Sequence, residues 1–131
     1  MDFLKINKCY WITGLSATGK TTLSKLLVEN FRSSGKFVVH LDGDELRQVL
    51  SDEVYTREER IALGMRYSRL CRLLTSQGVD VVISTIGLFK ELHVWNRKNI
   101  QNYVEVFIDT PLDELKKRDP KDIYKRFTSG K

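Results

Sequence analysis

Gly14, Leu15, Ser16, Ala17, Thr18, Gly19, Lys20 and Thr21 set two glycines, a lysine and a threonine at the spacing G-x-x-x-x-G-K-T. A turn of that kind at a helix N-terminus converges backbone N–H groups on one point, and the helix dipole adds positive potential there. The fitting ligand is a polyphosphate. Lys20 is placed to reach β- and γ-phosphates as the catalytic cation, and Thr21 to ligate Mg²⁺; Thr22 completes the binding stretch. The spacing predicts a P-loop that holds a nucleoside triphosphate.

A second set of residues carries acid. Val38, Val39, His40 and Leu41 form a mostly apolar run that delivers Asp42, and Asp44 follows after one glycine. Delivered beside the P-loop in a parallel sheet, such carboxylates can hold Mg²⁺ through water or take the proton of an attacking hydroxyl, and two of them around Gly43 can divide those roles. The alternative is an Asp turn in which Asp44 caps a helix. Arg47 and Arg60 fall near the starts of helices and are candidates for binding a substrate anion. Arg66, Arg69 and Arg72 recur every third residue opposite the apolar stripe and read as a solvated face. Tyr55 is placed to stack on a base, whereas Trp11 and Phe37 read as core. His40 and His93 lack partners at metal-ligand spacing and are assigned core or surface roles.

These residues need a scaffold of alternating strands and helices. The pattern predicts strands over Tyr10–Thr13, Phe37–Leu41, Val79–Ser84 and Tyr103–Ile108. Helices are expected over Thr21–Arg32, Asp44–Leu50, Thr56 to about Gln77, Glu91–Ile100, Pro111–Lys117 and Asp122–Ser129. Thr56 with Glu59 forms a capping box, Gly35 and Gly78 are stop signals, and Leu63, Tyr67, Leu70 and Leu74 make the buried stripe of the long helix. The continuous apolar run ending at Ser84 is that of a strand covered on both faces. The order implies an α/β fold, a three-layer P-loop NTPase sandwich with a mostly parallel central sheet and its ligand at the carboxyl ends of the strands.

The chain has 131 residues, 41% hydrophobic and 30% charged, which suits a single domain, 1–131, with a genuine core. Met1–Lys8 carries no apolar leader, and no stretch approaches the roughly 20 apolar residues of a membrane span, so a cytoplasmic protein is expected. Cys9 and Cys71 lack C-x-x-C spacing and read as reduced core residues. The net charge of +5 comes from cations dispersed among 17 acids rather than gathered in a basic arm. Small anionic substrates explain it equally well, and no recognised nucleic-acid motif supports the alternative.

Together these motifs resemble the adenylyl-sulfate kinase family of P-loop kinases. The resemblance rests on Trp-Ile-Thr-Gly-Leu-Ser (11–16), Gly-Lys-Thr-Thr-Leu (19–23), Leu-Asp-Gly-Asp-Glu-Leu-Arg (41–47), Val-Glu-Val-Phe-Ile-Asp-Thr-Pro-Leu (104–112), Arg-Asp-Pro-Lys (118–121) and Tyr124. It implies transfer of the γ-phosphoryl of ATP, with Mg²⁺, to the ribose 3′-hydroxyl of adenylyl sulfate. Asp44 matches the family's carboxylate near the acceptor hydroxyl. Arg47 and Arg60 match acceptor-binding arginines, Tyr55 the stacking position, Ile86 a pocket wall and Lys121 the lysine after Arg-Asp-Pro; Asp42 joins the substrate-binding set. The partners expected are a small nucleotide and no nucleic acid or membrane, with a homodimer open to the chain.

Departures from the family pattern cluster on the acceptor side. Glu45 replaces the Asn of Asp-Gly-Asp-Asn, Leu63 stands where an acceptor-contacting Asn is expected, and Ile86-Gly87-Leu88-Phe89 replaces Ile-Ser-Pro plus an aromatic. A related kinase for another activated nucleotide, such as a cytidine diphosphate derivative, therefore stays open. Family members continue beyond Gly130-Lys131 through a Phe-Thr-Gly lid, a strand and a helix, so the C-terminal end reads as shortened, and a catalytically weak nucleotide-binding remnant is a further alternative. A switch GTPase would carry N-K-x-D, which is absent from the sequence.

Overall fold

Strand β1 (Cys9–Gly14) is buried along its whole length and is the axis of the fold. The computed structural model describes residues 8–14, 20–50, 53–85 and 89–108. Within them the order is β1, α1 (Lys20–Ser33), β2 (Val38–Asp42), α2 (Gly43–Leu50), α3 (Arg57–Ser76), β3 (Asp80–Ser84), α4 (Lys90–Asn99) and β4 (Tyr103–Ile108). The four strands pair in parallel in the order β2-β3-β1-β4. The helices expected over 111–117 and 122–129 lie outside the described residues.

Alternation along the strands splits the core in two. Tyr10 and Ile12 of β1 pack with Val38, Val82, Val106 and Ile108 under Leu23, Leu27, Val28 and Phe31 of α1. Cys9 and Trp11 turn the other way, with Val81 and Ile83, beneath Leu63, Tyr67 and Cys71 of α3 and Leu92 of α4. The result is three layers: α1, the sheet, and α3 with α4. Among the described residues no helix is long and apolar enough to cross a membrane.

Several local expectations shift. Strand β3 is interposed between β2 and the P-loop strand, so Asp42 pairs with Ser84 and Ser84 with Ile12. Phe37, expected in the core, is 77% exposed because it precedes β2 at the rim of the sheet. In α3 the buried face is Leu63, Gly64, Tyr67, Ser68 and Cys71, with Leu74 packed at its edge and Leu70 only half-buried. The periodicity of large apolar residues predicts the stripe, whereas the contact is made largely by small ones. On β4, Glu105 and Phe107 stay accessible while Val106 and Ile108 are buried, so this strand is covered mainly on its α1 face.

The expected capping box is present: the Thr56 hydroxyl accepts from the Glu59 N–H at 3.1 Å, and the Glu59 carboxylate accepts from the Thr56 N–H at 3.1 Å. Those bonds hold the Glu59 carboxyl below its ordinary pKa. Cys9 and Cys71 are free, buried thiols. Their mutual hydrogen bond, with burial, pushes the Cys71 thiol up, the opposite of a reactive cysteine. His93 fastens α4 to β4: its Nδ1 lies 3.0 Å from Glu105 Oε1 and 3.2 Å from the Tyr103 hydroxyl. Arg97 adds a 2.6 Å bond to Glu105 Oε2, and Asn96 Nδ2 donates to the Tyr103 hydroxyl at 3.2 Å. Burial drives the Tyr103 pKa upward, so the phenol stays protonated.

Gly64 sets the spacing of α3 and α4. A Cβ there would collide with Leu92 Cδ1 and lie 3.2 Å from Cδ2 and 3.4 Å from Cγ. Leu92 is fully buried and has nowhere to retreat. Gly64→Ala should therefore lower stability by about 1–3 kcal/mol through overpacking, despite the better helix propensity of alanine. Denaturant unfolding of both proteins checks this; an unchanged or stabilised variant would show that the helices separate freely.

Candidate functional site

The carboxyl ends of the strands bring the chemistry-bearing residues to one edge. Gly14 closes β1, and Lys20 opens α1 directly after the 15–19 segment. Leu15, Ser16, Ala17, Thr18 and Gly19 lie outside the described residues, as do Ile86 and Lys121. Thr21 is exposed on the first turn of α1 and Thr22 is half-buried beside it. Ser24, one turn on, is buried and donates back to the Lys20 carbonyl at 2.7 Å, which pins the start of the helix.

Lys20 is the electrostatic centre of this edge. Burial lowers the pKa of its ammonium, and the carboxylates of Asp44 and then Asp42 counter that shift. A cation stripped of some of its water at a helix N-terminus favours an anion in its place. Two carboxylates act on the same ammonium, so the structure draws Lys20, Asp42 and Asp44 into one field despite the strand between β1 and β2.

The two acids are not equivalent. Asp42 ends β2 and caps α2: its Oδ2 accepts the Glu45 N–H at 3.3 Å, and its Oδ1 accepts the Ser84 hydroxyl at 3.1 Å. The helix cap is therefore Asp42, not Asp44. Asp44 sits in the first turn of α2 with its side chain 74% exposed, ion-paired to Arg47. Motif reading gave Asp44 and Arg47 separate duties toward the substrate; in the structure they are bonded to each other. Such an exposed pair is weak and readily exchanged for a ligand.

Arg60 is exposed on α3, four residues past the Thr56 cap, and its N–H donates to the Thr56 carbonyl at 3.0 Å. Tyr55 is 75% exposed, with its hydroxyl donating to Glu53 Oε2 at 3.2 Å, so its ring is accessible for stacking. Leu63 belongs to the core with Trp11, Ile83 and Leu92. His40 is half-buried below Asp42; burial lowers its pKa, Asp42 and Glu45 oppose the shift, and Arg32 and Lys25 add to it. Its Nε2 has no hydrogen-bond partner among the described residues.

Motif reading missed two residues here. Ser84 is 3% exposed and grips Asp42; its signal is a hydroxyl ending an otherwise apolar strand. Arg57 pairs with Glu91 at 3.1 Å and lies 5.4 Å over the Phe89 ring, tying the start of α3 to the start of α4. No spacing rule announces that contact, because it joins residues distant in sequence.

An ammonium at a helix N-terminus, hydroxyls on the same turn and two carboxylates within its field fit a magnesium nucleotide. Residues 7–131 match the protein family described as Adenylylsulphate kinase. The chain is 39% identical over 114 residues to the cytidine diphosphoramidate kinase of Campylobacter jejuni, covering 87% of this chain and 67% of that one. It is 37% identical over 121 residues to the adenylyl-sulfate kinase of a Picosynechococcus species, covering 92% and 68%. The chain thus spans about two thirds of the length of these two relatives. The structure of the Mycobacterium tuberculosis APS kinase in complex with AMPPNP and APS superimposes with a TM-score of 0.73 at 32% identity, covering 95% of this chain and 75% of that one. A P-loop lysine and an Asp-Gly-Asp turn on a parallel sheet, in a sequence matched almost from end to end, show that this chain belongs to the adenylylsulphate kinase family of phosphotransferases.

Proposed function

We propose that the chain transfers the γ-phosphoryl group of ATP to a ribose hydroxyl of an activated nucleotide, and that the acceptor is a cytidine diphosphate derivative of the phosphoramidate type. The observation that carries the reaction is the placement of Lys20 at the start of α1, after Gly14 ends β1, with Asp42 and Asp44 at the carboxyl end of β2. Lys20 and the 14–21 motif bind and orient the polyphosphate, and Lys20 balances the charge that grows on the transferred group. Mg²⁺, when bound near Thr21, supplies further neutralisation of the phosphates. Asp44, released from Arg47, orients the acceptor hydroxyl and takes its proton; Arg47 then turns to the acceptor's anionic group, with Arg60 alongside and Tyr55 against the base. A cytoplasmic location and homodimer assembly belong to the same proposal.

The sequence pattern sets Leu63 on the acceptor side, but it lies in the apolar core with Trp11, Ile83 and Leu92 and offers the acceptor no surface, so acceptor choice rests on Glu45 and on the relatives. Glu45 on α2 adds negative charge where the family pattern has a neutral amide. The identity to the Campylobacter jejuni kinase supports the same choice. Adenylyl sulfate is the second reading, supported by the family match and by the Picosynechococcus relative.

Incubation with Mg-ATP and separate acceptors, followed by mass spectrometry, tests both readings. Cytidine diphosphoramidate should gain one phosphoryl group, with kcat/KM above that for adenylyl sulfate by about tenfold or more, the discrimination a mismatched polar contact gives. The reverse ranking would transfer the assignment to adenylyl sulfate, and no product with either would remove the kinase assignment.

Lys20→Ala should lower kcat by about a hundredfold or more while thermal unfolding stays near wild type, because the ammonium faces phosphate rather than core. Full activity in this variant would sink the phosphoryl-transfer mechanism. Asp44→Asn should depress kcat far more than ATP affinity, since an amide keeps the shape but accepts no proton. Equal turnover would leave Asp44 only its pairing with Arg47.

A further inference from the structure

Helix α2 carries Asp44 and Arg47, yet none of its residues is buried. Leu46 alone packs against the α3-side core, while Val49 is 78% and Leu50 48% exposed. Hydrophobic burial therefore does little to fix where this helix points. Its N-terminus is fixed by polar contacts instead. Asp42 accepts the Glu45 N–H with one carboxylate oxygen and the Ser84 hydroxyl with the other. Gly43 between them is pressed against the end of β3: a Cβ there would lie 3.1 Å from the Ser84 carbonyl oxygen and 3.5 Å from Thr85 Cα and Cβ. The next residue along β3 locks to β1, with the Thr85 N–H donating to the Ile12 carbonyl at 3.0 Å.

We infer that Ser84 is a positioning residue for the phosphoryl-transfer site. It holds the Asp42 carboxylate in the rotamer that caps α2, and through that cap it sets Asp44 relative to the end of β1 and to Lys20 at the start of α1. Ser84 itself is buried beneath the edge and reaches the reacting groups only through Asp42. The turn 42–44 thus works as a bracket bolted to β3. The inference rests on the kinase reading for its catalytic consequence, and on the hydrogen bonds alone for its structural one.

A double-mutant cycle on the full chain tests it, with Ser84→Ala, Asp42→Asn and both together. Ser84→Ala should lower kcat by about tenfold or more, the scale of a lost hydrogen bond to a charged group, with KM for ATP changed less than about threefold. In the Asp42→Asn background the same change should cost less than about twofold, because Ser84 acts through that carboxylate. Ser84→Thr, which keeps the hydroxyl, should recover most of the loss; the cycle decides the matter if threonine does not fit. Amide hydrogen exchange needs no turnover: Ser84→Ala should speed exchange at Glu45 and along α2 by about tenfold while α1 stays protected. Loss of α2 protection in Ser84→Ala, when the wild-type protein itself shows no phosphoryl transfer, would retain the bracket and reject the kinase reading. Unchanged kcat and unchanged α2 protection in Ser84→Ala, or losses that simply add in the cycle, would overturn the role of Ser84.

Discussion

A parallel sheet buried on both faces has one register, because a slip by one residue would turn every core side chain to the wrong layer. Here that constraint acts through Ile12, which pairs with Ser84 on one side and Val106 on the other. Tyr10 and Ile12 must meet α1, and Cys9 and Trp11 must meet α3 and α4. Once this is fixed, the ends of β1, β2 and β3 are fixed as well. Gly14, Asp42 and Ser84 are brought to one rim without any of them contributing much to the core's cohesion.

What the rim does follows from electrostatics in a half-dry place. Lys20 loses part of its hydration and gains two carboxylates in its field. Neither effect alone makes a phosphate site: a buried cation would tend to neutralise, and a fully solvated one would hold its water. Lys20 lies between those limits, half-buried at the start of α1. The acids share the work by their surroundings. Asp42 spends both oxygens on Ser84 and Glu45, and Asp44 holds only a solvent-exposed partner.

Motif and periodicity carried much of this. The strand-helix order, the Thr56 capping box and the sites of Lys20, Asp42 and Asp44 are written in local patterns, which short-range physics reads directly. The order of the strands is not local. That β3 lies between β1 and β2 depends on crossovers whose path no pattern of one strand reveals. Gly64 looks like a weak point in a helix until Leu92 arrives from another helix to fill the space. Ser84 is likewise silent, since one hydroxyl at a strand end has many uses. The exposure of Phe37 was hidden because hydrophobicity reports what a side chain prefers, not what the neighbouring layer can cover.

The thin attachment of α2 has a consequence for how such a protein can diverge. Residues that touch the core are bound to one another, so a change at Leu63 or Leu92 demands a change elsewhere. Positions 45, 48, 49 and 50 carry no such debt, being exposed on a helix with nothing buried. Side chains there can change by single steps while the sheet and its two cores stay as they are. The rim beside Asp42 can thereby be re-surfaced without the protein first passing through an unstable ancestor.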